Sequence, residues 1–369
     1  SGDRADNYNL VGQPDPVTAD ITAKEITLTV TVKDKNFDGT TKAELDTVTH
    51  TDFVAGDDVE LVNGEPSFAY PCARADIPIG FTDFRLTGAD AGNYQLTNAQ
   101  PEGVTAEIHP TPNYLDVTNK PEFDGKTTVT IDGQEYPIEE MGDRRYVNLP
   151  ETGDLLTIYS FQNGTQEGSY TNYPTGMQVF RITRQEGGAK AEEITELANL
   201  LNYVGCSIRI TGKKGIRMIT AIDQTVKKSL INKKGLAGYT LEEYGTVVQW
   251  ADSLGSDTLN LDSGKGSYAY KKGKADPVFA KVDGMVQYTN VLVGFSDAQL
   301  EPNLVMRPYI KLKDIATGET VTLYGGCVTR SIGYVAWQNR NTYKEGTASY
   351  KYVWGIINKI EDTSKYPTN

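Results

Sequence analysis

Apolar and polar residues alternate along short segments for much of the chain, which is the pattern of β-strands with one buried face. The clearest case is residues 26–32, which read Ile-Thr-Leu-Thr-Val-Thr-Val. Turn-forming clusters such as Asp38-Gly39 follow at short intervals. Residues 23–112 are therefore predicted to form an immunoglobulin-like β-sandwich of about seven short strands.

A second β-rich region follows at residues 113–188. Its strands are predicted at residues 127–131, 146–149, 155–161 and 177–183. The Gly-containing stretch at residues 185–190 breaks this pattern and is interpreted as a linker or loop. This region is predicted to be a small β unit that connects its neighbours.

Residues 189–369 contain segments with helical periodicity and segments with the alternation of strands. Helical spacing predicts a helix over residues 191–203, stopped at Gly205, a second helix capped by Asp223, and a last helix over residues 348–360. A hairpin is predicted for residues 207–222, and later strands at residues 245–250, 287–295, 305–312 and 319–324. The expected fold class is mainly β: an immunoglobulin-like β-sandwich repeat, a small β-rich unit and an α+β module.

The chain also contains an internal echo. Residues 5–21 resemble residues 91–108, and Tyr8 and Tyr94 are separated by the same 86 positions as Phe37 and Phe123. Two unrelated markers that agree on one period indicate a repeated structural unit. Residues 1–22 are therefore predicted to be the tail of a preceding repeat, with Tyr8 and Tyr94 in matching positions.

Composition and charge argue against several classes of function and site in this chain. Hydrophobic residues make up 38% of the 369 residues, enough for packed cores, yet no run of 18 apolar residues occurs. Membrane insertion is not expected, and the first residues contain no hydrophobic signal core. Residues 1–112 carry a net charge of −12 and residues 113–369 a net charge of −1, so a nucleic-acid partner is not expected for the first part. The three cysteines form no Cys-x-x-Cys motif, which predicts neither a zinc site nor a disulfide framework.

Two motifs in the first part point to a family. Residues 36–41 read Asn-Phe-Asp-Gly-Thr-Thr and residues 88–94 read Gly-Ala-Asp-Ala-Gly-Asn-Tyr. Together they resemble the hallmarks of the YDG-type bacterial surface repeat, with Phe37 where Tyr is commoner. The resemblance implies a tandem β-sandwich stalk on a large adhesin-like protein.

Four further motifs lie in the last part, at residues 203–210, 215–218, 243–248 and 330–336. They resemble a recurrent module of very large surface proteins from gut Firmicutes. This resemblance implies an extracellular place on a Gram-positive cell surface and a binding role. Some such proteins bind host immunoglobulins in the manner of B-cell superantigens. It implies no catalytic residues.

Catalytic patterns are weak. His50 and His109 have no spaced acid and nucleophile, so a Ser-His or Cys-His site is not expected. The acid pairs Glu139-Glu140, Glu192-Glu193 and Glu242-Glu243 are interpreted as structural, because neighbours on a strand face opposite ways and acids favour a helix's first turn. Asp57-Asp58, or Asp257 with Asp262, offer weak calcium ligands, but turn acids are the simpler interpretation. The chain is predicted to be no enzyme, with no metal and no cofactor.

The binding residues are expected in residues 189–369, because protein interfaces favour aromatic anchors and disfavour dense carboxylates. The candidates are exposed tyrosines and the lysines beside them: Tyr268, Tyr270, Lys271, Lys272 and Tyr343. The leading hypothesis is recognition of a host protein, with immunoglobulin first. The alternatives are a carbohydrate-binding adhesin module and a structural spacer of a surface stalk. The sequence leaves the ligand, the binding face and the oligomeric state open.

Overall fold

The computed structural model describes residues 3–9, 11–162, 170–276 and 278–367. The chain divides into two compact units, Ser1–His109 (unit 1) and Pro110–Asn369 (unit 2). Both are built chiefly of strands, and among the described residues the few α-helices all lie in unit 2, which confirms the mainly β fold class. The boundary expected between residues 188 and 189 falls inside unit 2. None of the helices in the described ranges is long and apolar enough to cross a membrane.

Unit 1 is made of short strands. Its described residues contain β1 (Lys24–Ile26), β2 (Leu28–Val32), β3 (Lys35–Asn36), β4 (Leu45–His50), β5 (Glu60–Val62), β6 (Pro66–Phe68), β7 (Arg74–Phe81), β8 (Arg85–Thr87), β9 (Tyr94–Leu96) and β10 (Thr105–His109). The largest sheet has the order β3-β10-β7-β6, and three pairs complete the unit: β1 with β9, β2 with β4, and β5 with β8. In β2 the leucine and valines are buried and the threonines exposed, as the alternation predicts.

The second motif of unit 1 joins two loops. Gly88 has a φ of +115°, and a Cβ there would lie 2.3 Å from the carbonyl oxygen of Asp58, so only glycine fits. Tyr94 is buried, and its hydroxyl donates to Asp57 and accepts a hydrogen bond from the backbone N–H of Val54 at 2.9 Å. The motif residues are therefore explained by the architecture of the unit.

The internal echo has a local structural counterpart. A 3-10 turn covers Ala5–Asn7, and another covers Ala91–Asn93 at the matching place in the repeat. Tyr8 follows the first turn and is 81% exposed, whereas Tyr94 follows the second and is 7% exposed in the core. The backbone turn is thus repeated, and the burial of the tyrosine is not.

Unit 2 begins with two small sheets. Their strands are β11 (Tyr114–Asp116), β12 (Thr128–Ile131), β13 (Gln134–Pro137), β14 (Glu139–Met141), β15 (Arg144–Asn148), β16 (Leu155–Phe161), β17 (Pro174–Thr183) and β18 (Lys190–Glu193). They pair in the orders β11-β15-β14 and β13-β12-β16-β17-β18. The strands predicted for residues 113–188 are confirmed.

Two further sheets and all the α-helices follow. The strands are β19 (Asn202–Arg209), β20 (Gly215–Asp223), β21 (Tyr239–Trp250), β22 (Lys265–Lys271), β23 (Ala280–Val282), β24 (Met285–Val293), β25 (Asn303–Asp314), β26 (Thr320–Tyr324) and β27 (Val328–Ser331). The helices are α1 (Gln224–Ile231), α2 (Ala251–Leu254), α3 (Ile332–Gln338) and α4 (Ala348–Ile357). The strand orders are β19-β20-β24-β23 and β22-β21-β25-β26, with β27 also paired to β25.

One predicted helix is wrong. Residues 191–203 form the end of β18, a 3-10 turn over Thr195–Leu197 and the start of β19. Asn199 has a φ of +52°, and its side-chain oxygen accepts a hydrogen bond from the backbone of Met177 at 3.0 Å. The helix capped by Asp223 and the last helix are confirmed as α1 and α4, with N-caps at Asp223 and Thr347.

The core of unit 2 is continuous across the expected linker. Side chains of β16 and β17 pack in one cluster with Leu197, with Leu230 of α1 and with strands β21 and β25. A fully buried arginine adds polar contacts: Arg307 donates to the carbonyl oxygens of Gly325 (2.7 Å), Leu259 (3.0 Å) and Gly133 (3.2 Å). Residues on both sides of position 188 thus share one interior.

Candidate functional site

Strand β22 carries four of the five predicted binding residues at or beside its end, and it is an edge strand. It pairs with β21 on one side only, and most of its residues are exposed. The side-chain amide of Asn290, from β24 of the neighbouring sheet, donates to the carbonyl oxygen of Ser267 at 2.7 Å, and its oxygen accepts a hydrogen bond from Thr246 of β21. The edge strand that pairs with β24 is β23. Both edge strands therefore contact β24, β23 in its own ladder and β22 through the Asn290 side chain.

A β-bulge decides where the two tyrosines of β22 point. Tyr244 lies opposite Tyr270 and Gly245 opposite Tyr268, so Ala269 has no partner in the ladder. Tyr268 and Tyr270 would share a face in a regular strand, but the extra residue places them on opposite faces. A Cβ on Gly245 would lie 2.2 Å from the carbonyl oxygen of Ser267, so the close approach at the bulge requires glycine.

Tyr268 is 54% exposed, whereas Tyr270 is 7% exposed, so the expectation that Tyr270 is exposed is wrong. The Tyr270 ring stacks on the Tyr244 ring with 5.1 Å between centroids. The Tyr288 ring also packs on Tyr244, with 4.6 Å between centroids. Burial raises the pKa of Tyr270, and the nearby carboxylate of Asp276 adds to the effect. Tyr270 therefore packs in the core and anchors β22 to the aromatic cluster.

A buried ion pair holds the same aromatic cluster. The ammonium of Lys227 lies 2.6 Å from the carboxylate of Asp276 and 2.7 Å from the hydroxyl of Tyr244. It also lies over the ring of Tyr244. Burial raises the pKa of Tyr244, as does its hydrogen bond to Asp276. Because each polar group is paired, the cluster fixes the base of β22.

The predicted lysines are neutralised by neighbouring acids. Lys271 lies 3.2 Å from Glu243, which is buried and accepts a hydrogen bond from the hydroxyl of Tyr309 at 2.8 Å. Burial pushes the pKa of Glu243 upward, but the hydrogen bonds from Tyr309 and Lys271 outweigh it and hold the pKa below its ordinary value. Lys272 pairs with Glu242. Glu243 also lies 3.5 Å from Lys311, so the two acids offset most of the positive charge at this strand end.

Tyr343 belongs to a different part of unit 2. It is partly buried and packs against the core formed by α3 and α4. The structure therefore groups Tyr268 with Lys271 and Lys272, places Tyr270 beneath them, and assigns Tyr343 to the helical core.

Sequence reasoning missed the apolar residues of the second edge. Val278, Phe279 and Val282 are each between 40% and 46% exposed, and the guanidinium of Arg217 lies 4.7 Å above the ring of Phe279. The signal was the unbroken Val278-Phe279-Ala280 run just before a turn. We call Tyr268 of β22 together with Val278, Phe279 and Val282 the β22–β23 surface.

The histidines and acid turns have local structural contacts. Nδ1 of His50 lies 2.8 Å from the carbonyl oxygen of Thr51, and its ring packs on Phe53. Nδ1 of His109 lies 3.1 Å from the carboxylate of Glu107. In the described ranges, no group of three or more His, Cys, Asp or Glu residues is arranged to hold a metal ion.

Comparison with known families places a YDG domain at residues 22–102. The match lies within unit 1 and confirms the resemblance carried by residues 36–41 and 88–94. No curated protein and no solved structure matches the chain. The resemblance of the last part to surface-protein modules, and its link to immunoglobulin, stay predictions.

Proposed function

We propose that this protein is a non-catalytic binding component of a Gram-positive cell surface that recognises a host protein, with immunoglobulin as the first candidate. The observation that carries the proposal is the β22–β23 surface. Two aromatic side chains, Tyr268 of β22 and Phe279 just before β23, are about half exposed at the edges of two sheets. Exposed aromatic residues are the usual anchors of protein interfaces.

Charge and backbone favour a protein partner. Lys271 and Lys272 are each paired with an acid, which lowers the attraction of the surface for a polyanion. Edge strands offer unpaired backbone groups, to which a partner strand adds by β-augmentation. The tyrosine cluster beneath β22 holds the strand in place, which reduces the entropy lost on binding.

The YDG domain supports an adhesin-like, extracellular setting. Its acidic character, with a net charge of −12 over residues 1–112, suits a soluble stalk more than an interface. The division of labour proposed is that unit 1 extends the stalk and unit 2 binds.

The test uses the full chain and immobilised immunoglobulin in biolayer interferometry. Tyr268→Ala and Phe279→Ala, each alone and combined, should weaken binding, with the double variant weakened about tenfold or more. The matched control is Ile315→Ala, which truncates a residue of similar exposure on the β25–β26 turn. The control should bind like the parent.

Four outcomes would contradict parts of the proposal. Loss of binding in Ile315→Ala to the same degree would show that the effect is not specific to the β22–β23 surface. Absence of immunoglobulin binding, with binding of another serum protein in the same assay, would replace the named partner. Binding only to an oligosaccharide on a glycan array would favour the carbohydrate-binding alternative, and no binding to either would favour a spacer.

A further inference from the structure

Unit 2 contains a cavity whose lining includes none of the β22–β23 surface residues. It has a volume of about 510 Å³ and is bordered by β19, β27, α3 and the residues that precede β17. Its wall is polar and aromatic and includes Tyr173, Tyr203, Arg330, Tyr334 and Gln338. The volume lies in the range of small-molecule sites.

The charged group of this wall is Arg330. Its side chain is buried, with 3% of the residue exposed, and its guanidinium lies 5.8 Å from the ring of Tyr203 and 5.7 Å from that of Tyr334. One terminal nitrogen donates to the carbonyl oxygen of Thr329 at 2.7 Å. Nε has no hydrogen-bond partner, and no carboxylate of the described residues is within ion-pair distance of Arg330.

The other two buried cations of unit 2 have more compensation than Arg330. Arg307 donates to three carbonyl oxygens and to the hydroxyl of Tyr159, and Lys227 forms an ion pair with Asp276. A guanidinium does not deprotonate in proteins, so a poorly compensated one remains a buried charge of considerable cost. Of the three, Arg330 has neither an ion pair nor several hydrogen-bond acceptors, so an anion from outside the chain would compensate its charge.

We propose that this cavity binds a small carboxylate ligand of the acidic-sugar class, with Arg330 as the partner of the carboxylate. A planar guanidinium fork matches a carboxylate in two parallel hydrogen bonds.

The rest of the wall suits a sugar ring. Tyr173 and Tyr203 both line the cavity, and their rings lie 5.9 Å apart at a tilt of 43°. A β-bulge at Val204 sets the direction of Tyr203, since Tyr203 pairs with Thr220 and Gly205 with Ile219. The side-chain amide of Gln338 donates to the hydroxyl of Tyr334 at 2.7 Å, which leaves its oxygen as an acceptor.

The cysteine of the cavity does not favour covalent chemistry. Burial raises the pKa of the Cys206 thiol to about 11, and the hydrogen bond from Tyr203 and the charge of Arg330 offset only part of that rise. The thiolate needed for nucleophilic attack is therefore scarce at neutral pH. The cavity is equipped for binding.

The direct test is isothermal titration of the full chain with glucuronate, with glucose as the uncharged counterpart and inorganic phosphate as a second anion. Glucuronate should bind, glucose should not, and Arg330→Met should weaken glucuronate binding about tenfold or more. Arg330→Lys keeps the charge without the fork and should also bind more weakly. Tyr268→Ala should bind glucuronate like the parent, so failure here and failure of the immunoglobulin proposal are distinguishable.

Thermal unfolding of the unliganded protein gives an independent readout. Removal of an uncompensated charge should leave the melting temperature of Arg330→Met equal to or above that of the parent, whereas Arg307→Met should melt lower. A fall in Arg330→Met as large as in Arg307→Met would show that Arg330 is a structural residue and overturn the proposal. No glucuronate binding would overturn the ligand class, as would phosphate binding tighter than glucuronate.

Discussion

Single buried side chains stabilise unit 2 through polar contacts as well as apolar packing. Arg307 is fully buried and joins the turn at Gly133, the loop at Leu259 and the strand end at Gly325. These segments are far apart along the chain, so one guanidinium connects three separate segments by hydrogen bonds. Its loss leaves three carbonyl oxygens without a donor inside the protein.

Arg307→Met should therefore lower the free energy of unfolding of unit 2 by about 3 kcal/mol or more. All three tryptophans, Trp250, Trp337 and Trp354, lie in unit 2, so tryptophan fluorescence during urea unfolding follows this unit alone. Arg340→Met is the control, because Arg340 stacks on Trp337 at the surface of α3. A loss in Arg307→Met no larger than in the control would contradict the role given to Arg307.

Glu243 should make unit 2 sensitive to acid. Its pKa in the folded state lies below the ordinary value of 4.5, so the folded protein binds fewer protons at this group than the unfolded chain. The stabilisation is complete above pH 4.5 and is lost as the pH falls through the folded pKa. Glu243→Gln should flatten this acid slope in tryptophan-monitored unfolding, and Glu139→Gln, on exposed β14, should keep it. Equal slopes in the parent and Glu243→Gln would contradict the assignment.

Among the elements, the bulge in β22 has the largest consequence for the candidate site. The sequence predicted that Tyr268 and Tyr270 are exposed, and the structure places both in an edge strand. Tyr270 was nevertheless misplaced, because two tyrosines spaced by two share a face unless a residue is inserted in the ladder. The insertion depends on Gly245 in a strand 20 residues upstream of Lys265, and no local pattern reveals that pairing.

Gly245→Ala should therefore disturb β22. The added Cβ would meet the carbonyl oxygen of Ser267 at 2.2 Å, so the strand must shift, at a cost of about 2 kcal/mol. Hydrogen exchange should rise in residues 265–271. Gly176→Ala, in β17, adds a Cβ at an ordinary 3.5 Å from its neighbour and should leave exchange in β22 unchanged. Unaltered protection of β22 in Gly245→Ala would mean that the bulge is not under this constraint.

The wrong helix shows a second limit of local patterns. Ile194, Leu197 and Leu201 have helical spacing, and all three are buried, so the apolar positions were read correctly. They reach one core through a strand, a 3-10 turn and another strand, because β17 supplies a ladder partner for β18. Tertiary pairing overrides helical periodicity where a long neighbouring strand offers hydrogen bonds. Strand β2 was predicted correctly, because its alternation of buried and exposed residues is a local pattern that needs no information from distant residues.

At the scale of the whole molecule, the chain has separate interiors. The core of unit 1 is formed by Ile26, Leu28, Val30, Phe84 and Tyr94 and their neighbours, and the large cluster of unit 2 is formed by residues 155–323. The strong acidic charge belongs almost wholly to residues 1–112. Two units with separate cores and different charge are expected to unfold independently.

The last prediction tests this independence with one variant in each unit. Gly88→Ala places a Cβ 2.3 Å from the carbonyl oxygen of Asp58 at a φ of +115°, so it should destabilise unit 1. Calorimetry of the full chain should show two unfolding transitions, one for each unit. Tryptophan fluorescence should detect only the transition of unit 2. Gly88→Ala should lower the melting temperature of the unit 1 transition, which fluorescence does not detect. Arg307→Met should lower the melting temperature of the unit 2 transition. If either variant moved both transitions equally, the cores would unfold as one, and a stalk unit distinct from a binding unit would lose its physical basis.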